Sequence, residues 1–233
     1  MCTVTFVPVN KSEFIITHNR DEKLSRKPSL IPEFKYQQGI KLLYPIDADA
    51  NGTWFCTDEN GRTACILNGA FEKHISNPPY RKSRGLIVLD VFKENSFEKW
   101  CVETDLLEIE PFTLILFDKK ILLEFRWDGD KKHLKKLSTE KPHIWSSSTL
   151  YSIEAKNKRE NWFSDWLTNY ESTPKSLYSF HNYGGNDTKE INLKMEILGS
   201  HQTVSITQVH LNEFERIMNH INFVSGETAN LAF

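Results

Sequence analysis

The second residue of the chain, Cys2, has the side chain and the position of a nucleophile. Aminopeptidases remove an initiating methionine that precedes a small residue, so we expect the mature chain to begin with Cys2. An N-terminal cysteine carries a thiol and an α-amino group, with reference pKa values of about 8.5 and about 7.7–8.0. The amine can therefore accept the thiol proton and later return it to a leaving amine. The alternative is that Cys2 is a small apolar residue at the start of a strand.

A polar run, Asn19-Arg20-Asp21-Glu22, closes a predicted hairpin. Extended segments at residues 2–7 and 13–18 are rich in β-branched and aromatic residues and flank a polar turn. Strand register would bring the polar run back beside the thiol. Arg20 would then favour the thiolate, and Asp21 would hold the α-ammonium group. The alternative is that the run is a solvated charged turn.

The rest of the chain consists of predicted antiparallel hairpins and separate helices. Prolines at positions 28, 32 and 45 exclude long helices from residues 21–49. Strands are predicted at residues 52–57, 63–67, 112–117, 121–127, 131–137, 144–148 and 203–211, and helices at 86–92, 97–102 and 155–170. This order is typical of an α+β fold rather than of alternating βαβ units. Because no linker interrupts the pattern, we predict one domain over residues 1–233.

Composition and charge exclude several classes of protein. Lys and Arg number 29 against 31 Asp and Glu, a formal charge of −2, which excludes a strongly basic nucleic-acid binder. No apolar run approaches the roughly 20 residues that span a membrane, and no signal peptide is visible. Four cysteines without metal-ligand spacing predict free thiols in a reducing, cytoplasmic compartment. The eight histidines are scattered, so we expect neither a metal nor another cofactor.

Together, the start Met1-Cys2 and the run Asn19-Arg20-Asp21-Glu22 resemble the NRDE family, also called the transport and Golgi organisation protein 2 family. Further motifs that match this family are Arg26-Lys27-Pro28, Asn51-Gly52-Thr53-Trp54, Leu67-Asn68 and Ser83-Arg84-Gly85. Members of the family look like N-terminal-nucleophile hydrolases. The resemblance therefore implies an α+β, four-layer αββα sandwich with two stacked antiparallel sheets.

The chain is also similar, more distantly, to cysteine hydrolases of that superfamily, such as bile salt hydrolase and penicillin V acylase. This similarity implies that Cys2 is the nucleophile, that Arg20 and Asp21 lie beside it, and that Asn68 helps to hold the oxyanion. Further candidates for the oxyanion hole or the pocket are Asn19 and Ser147. Ser147 stands where the hydrolases have a second asparagine, and their late-strand arginine is replaced here by the segment His201-Gln202-Thr203.

The activity implied by the resemblance is acyl transfer on a small molecule. Cys2 would attack an amide or related acyl bond and form a thioester, which water would then hydrolyse. The loss of one oxyanion donor typically lowers turnover by ~10²–10³. Because Ser147 replaces such a donor, we keep a second hypothesis of a different class. In that hypothesis the protein is a non-catalytic intracellular carrier or trafficking protein for haem or a lipid-like ligand, as the family's links to haem and lipid handling imply.

Overall fold

The computed structural model of the chain describes residues 2–233. In this range the chain forms fourteen strands and four α-helices, numbered separately along the sequence. The strands are β1 (Cys2–Pro8), β2 (Phe14–Lys23), β3 (Leu30–Gln37), β4 (Ile40–Ile46), β5 (Phe55–Asp58), β6 (Thr63–Asn68), β7 (Phe112–Asp118), β8 (Ile121–Trp127), β9 (Lys132–Leu137), β10 (His143–Ser146), β11 (Glu196–Ile197), β12 (His201–Leu211), β13 (Arg216–Asn222) and β14 (Thr228–Ala232). The helices are α1 (Arg84–Asp90), α2 (Phe97–Glu103), α3 (Ile153–Asn169) and α4 (Pro174–Tyr183).

The chain divides into two units, each built on one antiparallel sheet. The described part of the first unit comprises residues 2–28, Glu140–Ser146 and Leu150–Phe233. Its sheet has the strand order β10-β1-β2-β12-β13-β14, with β11 paired to β12, and the unit contains α3 and α4. The second unit comprises Ser29–Thr139 and Ser147–Thr149, has the strand order β3-β4-β5-β6-β7-β8-β9, and contains α1 and α2. The α+β class predicted from the sequence is confirmed; one domain over residues 1–233 stays a prediction.

The helices α3 and α4 cover one face of the first unit's sheet. Residues Phe163, Trp166 and Phe180 of these helices form a core cluster with Val7 and Ile15 of the first hairpin. Burial of such large side chains is the main favourable contribution to folding. Within residues 2–233, no helix combines the length and the apolar character that crossing a membrane would need.

The first hairpin forms as predicted, from β1 and β2. Its turn is held by Asn10, whose side-chain oxygen accepts a hydrogen bond from the backbone N–H of Ser12 at 2.9 Å. On its other edge β2 pairs with β12, so β2 is a central strand rather than the edge of the sheet. The polar run at the end of β2 is therefore enclosed by two neighbouring strands.

Two of the motifs used in the sequence analysis meet within the second unit. The backbone N–H of Thr53 donates to the carbonyl oxygen of Gly85 at 3.0 Å. A Cβ atom on Gly52 would lie 2.5 Å from the carbonyl carbon of Gly85, which no side chain can tolerate. Glycine is therefore required at position 52 so that the segment before β5 can pass the start of α1.

Candidate functional site

Cys2 lies at the start of β1 and pairs directly with Arg20 of β2. Its side chain is only 3% exposed. Burial raises the pKa of the Cys2 thiol, and the Asp21 carboxylate adds to this rise, whereas the positive charge of the N-terminus, the Arg20 guanidinium and a hydrogen bond from the backbone N–H of Asp21 lower it. Because the net effect is a raised pKa, the folded protein favours the neutral thiol, and a nucleophilic attack requires a base.

The Arg20 side chain is 4% exposed, so the polar run is not the solvated turn of the alternative interpretation. Its Nη2 atom lies 3.7 Å from the Glu22 carboxylate, which also lies 3.9 Å from Nε of Arg26. Two guanidinium groups thus share one carboxylate. Their charges contribute to lowering the pKa of Glu22 despite its partial burial, which opposes that shift.

Asp21, which follows Arg20 in β2, is fully buried, and its carboxylate accepts two short hydrogen bonds. The Tyr151 hydroxyl donates to Oδ2 at 2.5 Å, and the Thr203 hydroxyl donates to Oδ1 at 2.6 Å. Thr203 Oγ1 also accepts the backbone N–H of Met195 at 2.9 Å, so its only proton is available to Asp21. Burial raises the pKa of Asp21, while the positive charge of Arg159 and the two hydroxyl donors oppose this shift.

Arg159 of α3 is fully buried and supplies the positive charge near Asp21. Its Nη1 donates to Thr3 Oγ1 at 2.5 Å, and its Nε and Nη2 donate to the carbonyl oxygens of residues 191 and 192 at 2.9 and 2.6 Å. The guanidinium carbon lies 3.6 Å from the centre of the Tyr151 ring, a cation–π contact. The guanidinium group is thus fixed on several sides.

Tyr151 and Arg159 of this network were not predicted from the sequence, and Thr203 was noted only as part of the segment that replaces the late-strand arginine of the hydrolases. One signal for Arg159 is present in the sequence. It lies four residues after Ala155 and four before Phe163, on the apolar face of α3, where a charged residue is unusual. Tyr151 and Thr203 carry no comparable local signal.

Asn19 connects β2 to α4. Its amide nitrogen donates to the carbonyl oxygens of His181 and Leu193 at 2.9 and 2.8 Å, and its oxygen lies 2.7 Å from Nδ1 of His181. His181 therefore carries its proton on Nδ1, and Nε2 accepts the Thr5 hydroxyl at 2.8 Å. Burial lowers the pKa of His181 to about 3, so the ring is neutral at physiological pH.

The remaining predicted site residues, Asn68 and Ser147, both lie in the second unit. Asn68 ends β6, as the sequence predicts. The Ser147 hydroxyl donates to the backbone carbonyl oxygen of Asn68 at 2.8 Å and lies 3.1 Å from the Thr149 hydroxyl. The structure thus brings Cys2, Asn19, Arg20 and Asp21 together in one unit, and Asn68 and Ser147 together in the other.

No group of three or more His, Cys, Asp or Glu side chains within residues 2–233 is arranged to hold a metal ion. All four cysteines are free and buried. The candidate site offers the Cys2 thiol, the charges of Arg20 and Asp21, and the hydroxyl donors around Asp21.

Comparison with solved structures identifies the fold. A cysteine-to-alanine mutant of the conjugated bile acid hydrolase from Clostridium perfringens matches with a TM-score of 0.53 and 9% identity, covering 99% of this chain and 92% of that one. The Caenorhabditis elegans orthologue of N-acylethanolamine-hydrolyzing acid amidase matches with a TM-score of 0.56 and 10% identity, covering 89% and 92% of the two chains. The chain thus has the fold of N-terminal-nucleophile hydrolases.

Sequence comparison then identifies the family. The model of the family described as "Transport and Golgi organisation 2" matches residues 1–225. The chain belongs to this family, as the motifs quoted above predict. Among curated proteins, no match to the chain was found.

Proposed function

We propose that the protein is an N-terminal cysteine nucleophile hydrolase that cleaves the carbon–nitrogen bond of an amide, or a related acyl bond, in a small molecule. The observation that carries this proposal is the pairing of Cys2 with Arg20 next to the buried, hydrogen-bonded carboxylate of Asp21. An acyl-transfer nucleophile needs a base, a fixed charge and an orienting group. Once Met1 is removed, the α-amine of Cys2 supplies the base, Arg20 the fixed charge and Asp21 the orienting group.

In the proposed reaction the free α-amine of Cys2 accepts the thiol proton, and Sγ attacks the carbonyl carbon. The tetrahedral intermediate collapses as the ammonium group returns the proton to the leaving nitrogen, which departs as an amine and leaves a thioester. Water, deprotonated by the same amine, then attacks the thioester, releases the carboxylic acid and restores the thiol. One water is consumed for each amide bond cleaved.

Each of the other residues has a proposed role in this sequence. Asp21 holds the α-ammonium by a charge-assisted hydrogen bond, and Arg20 stabilises the thiolate at the moment of attack. Asn68 is the proposed oxyanion donor, and Asn19 and Ser147 are proposed to support the oxyanion hole or the pocket.

Intact mass and acyl-probe labelling test the proposal. Met1 lies outside the described residues, so mass spectrometry of the purified protein is the direct measurement of its removal. A β-lactone acylates a thiol with ring opening, and we expect its full mass on the Cys2 peptide. The matched control is Cys65→Ala, which removes another buried thiol and should leave labelling unchanged. A retained Met1, or equal labelling of Cys2 and Cys65, would contradict the proposal.

A second candidate function, a carrier of haem or a lipid-like ligand, is favoured by a cavity in the first unit. Its volume is about 690 Å³, within the range of ligand sites, and it lies along α3 and α4. Five of its fourteen lining residues are aromatic; they are Trp162, Trp166, Tyr170, Phe180 and Tyr183. Saturable quenching of tryptophan fluorescence by haem or a fatty acid, lost in Trp162→Ala, would support this function. Linear, unsaturable quenching would contradict it.

The proposed location is the cytoplasm. The four cysteines are free in the structure, as expected for a protein in a reducing compartment. Fractionation of cells that produce the tagged protein tests this location.

A further inference from the structure

Arg159 is a buried charge of the first unit to which the proposed reaction assigns no role. It lies on the buried face of α3 and is fully buried itself. Its guanidinium donates to Thr3 Oγ1 and to the carbonyl oxygens of Ile191 and Asn192, none of which carries a net charge. Arginine is almost never fully buried unless it is paired, so we expect a negative group close to this one.

The Asp21 carboxylate is such a group, and Tyr151 connects it to Arg159. The guanidinium carbon lies 3.6 Å from the centre of the Tyr151 ring, and the hydroxyl of the same ring donates to Asp21 Oδ2 at 2.5 Å. Burial and the charge of Asp21 raise the pKa of Tyr151 well above its ordinary value, so the phenol keeps its proton. The charge of Arg159 opposes this rise, which makes the hydroxyl a stronger donor to the carboxylate.

Arg159 also contacts the strand that carries the nucleophile. Its Nη1 donates to Oγ1 of Thr3, the residue that follows Cys2 in β1. Thr3 pairs directly with Asn19, two residues before Asp21 in β2. Directly paired residues, and residues two apart in a strand, share a face of a sheet, so the side chains of Thr3 and Asp21 lie on one face. One guanidinium therefore acts both on the residue beside the nucleophile and on the buried carboxylate.

Arginine has two properties that suit this position. Its guanidinium does not lose its proton in proteins, so the positive charge near Asp21 is constant over the whole physiological pH range. Its planar group can donate to several oxygens at once while its face stacks on an aromatic ring. Lysine would supply the charge alone, so Arg159→Lys separates the effect of the charge from the effect of the contacts.

We propose that Arg159 is a positioning residue of the candidate site, which holds Thr3 and the Asp21 carboxylate where the α-amine of the nucleophile needs them. This inference rests on the proposed function for the role of the amine, whereas the action of Arg159 on Asp21 can be measured without any reaction. Besides Arg159, the titratable groups that act on Asp21 include Tyr151 and the positive charge of the N-terminus.

The first experiment measures the ionisation of Asp21 by carbon-13 NMR of protein labelled at its aspartates, with Asp21→Asn used to assign the resonance. Burial raises the pKa of Asp21, and the charge of Arg159 opposes this rise. In Arg159→Met the pKa of Asp21 should therefore rise further. Arg159→Lys keeps a positive charge and should keep the pKa closer to that of wild type. An unchanged pKa of Asp21 in Arg159→Met overturns the proposal.

The matched control is Lys158→Met, on the same helix and one residue earlier. The Lys158 ammonium lies near the carboxylates of Glu154 and Asp187, at 3.4 and 2.6 Å, and is partly exposed to solvent. Its removal takes one positive charge from α3 and should leave the pKa of Asp21 unchanged. An equal rise in both variants would show a general effect of the charge of the helix and would overturn the proposal.

The second experiment compares two reagents that label Cys2. Alkylation by iodoacetamide releases iodide, which needs no proton, whereas acylation by a β-lactone releases an alkoxide that the ammonium group must protonate. A misplaced amine should therefore slow the β-lactone more than iodoacetamide. We expect Arg159→Met to lower the ratio of the two rates by ~10-fold, the worth of one hydrogen bond to a charged group, and Arg159→Lys to recover part of this loss. Equal falls of both rates would indicate general loosening of the fold and would overturn the proposal.

The outcomes separate this proposal from the hydrolase proposal. If the β-lactone never acylates wild-type Cys2, the hydrolase proposal fails, and the NMR comparison still tests the action of Arg159 on Asp21. If Arg159→Met does not fold, Thr3→Val replaces it, because valine keeps the shape of threonine and removes only the acceptor of Arg159 Nη1. Thr3→Val should lower the ratio of the two labelling rates, and an unchanged ratio would overturn the proposal.

Discussion

At the scale of single residues, the Arg20 guanidinium is one of the charges that act on the Cys2 thiol. Burial raises the pKa of Cys2, and Arg20 opposes this rise. In Arg20→Ala the pKa of the Cys2 thiol should therefore rise further, and we expect the iodoacetamide rate at pH 8 to fall by ~10-fold. The measurement is the alkylation rate of the Cys2 peptide against pH. Arg26→Ala is the control, and an equal effect of both changes would show that Arg20 has no special role.

A second prediction at the scale of single residues concerns the contribution of Tyr151 to the stability of the fold. Its hydroxyl donates a hydrogen bond to the buried carboxylate of Asp21 at 2.5 Å. In Tyr151→Phe the buried carboxylate loses this hydrogen bond, so the free energy of unfolding should fall by about 1–3 kcal/mol. Urea denaturation measures this fall. Tyr170→Phe, at a side chain that is 63% exposed, should change the free energy by less than about 0.5 kcal/mol. Similar losses in the two variants would contradict the Asp21 contact.

The candidate site could be predicted only in part, because its residues are positioned in two different ways. The approach of Arg20 to Cys2 follows from hairpin register, which depends on a short stretch of sequence. The contacts of Asp21 with Tyr151 and Thr203 join residues 130 and 182 positions apart. The local sequence pattern carries no information on such contacts. They depend on how α3 and β12 pack and on the β-bulge between Thr203 and Ser205 of β12.

At the scale of elements, the hairpins with strong turn signals were predicted correctly, and a hairpin that contains proline was missed. The strands β5 and β6 overlap the predicted strands at residues 52–57 and 63–67, and they flank Asn60-Gly61, with Gly61 at a φ of 83°. The strands β3 and β4 fall in the proline-bearing stretch. Pro32 is tolerated because β3 is an edge strand, and Pro45 lies beyond the residues of β4 that pair with β5.

The prediction at this scale concerns the stability of helix α4, whose residue His181 is hydrogen-bonded to Asn19 of β2. Thr173 caps its first turn in a reciprocal capping box with Ser176. Thr173→Ala should lower the free energy of unfolding by about 1 kcal/mol. The control is Ser83→Ala at the start of α1, where no side-chain cap hydrogen bond forms, and it should change stability by less than about 0.5 kcal/mol. Thermal denaturation of both variants measures the two changes in stability. A larger loss of stability in Ser83→Ala than in Thr173→Ala would contradict the assignment of Thr173 as the helix cap.

At the scale of the whole molecule, the sequence determined the fold through its motifs rather than through its composition. Solved relatives of the fold share only 9–10% identity with the chain, so general similarity is weak. The motifs that contain Gly52 and Gly85 are recognisable because the close approach of these two backbone segments requires glycine. Composition alone indicated a globular α+β protein and could not have distinguished this fold from many others.

The response of the whole molecule to acid follows from its buried neutral histidines. Burial lowers the pKa of His220 to about 4 and that of His181 to about 3, whereas each unfolded imidazole has a pKa of 6.5. The unfolded state therefore binds protons first as pH falls, so this stabilisation is complete above pH 6.5 and is lost progressively down to the folded-state pKa. His220→Asn removes one such group, and the stability advantage of wild type over this variant should shrink by about 2 kcal/mol between pH 7.5 and pH 5. Urea denaturation at the two pH values measures the difference, with His133→Asn, at a partly exposed histidine, as the control. If the advantage of wild type over His220→Asn is the same at both pH values, His220 is not a buried neutral histidine in solution.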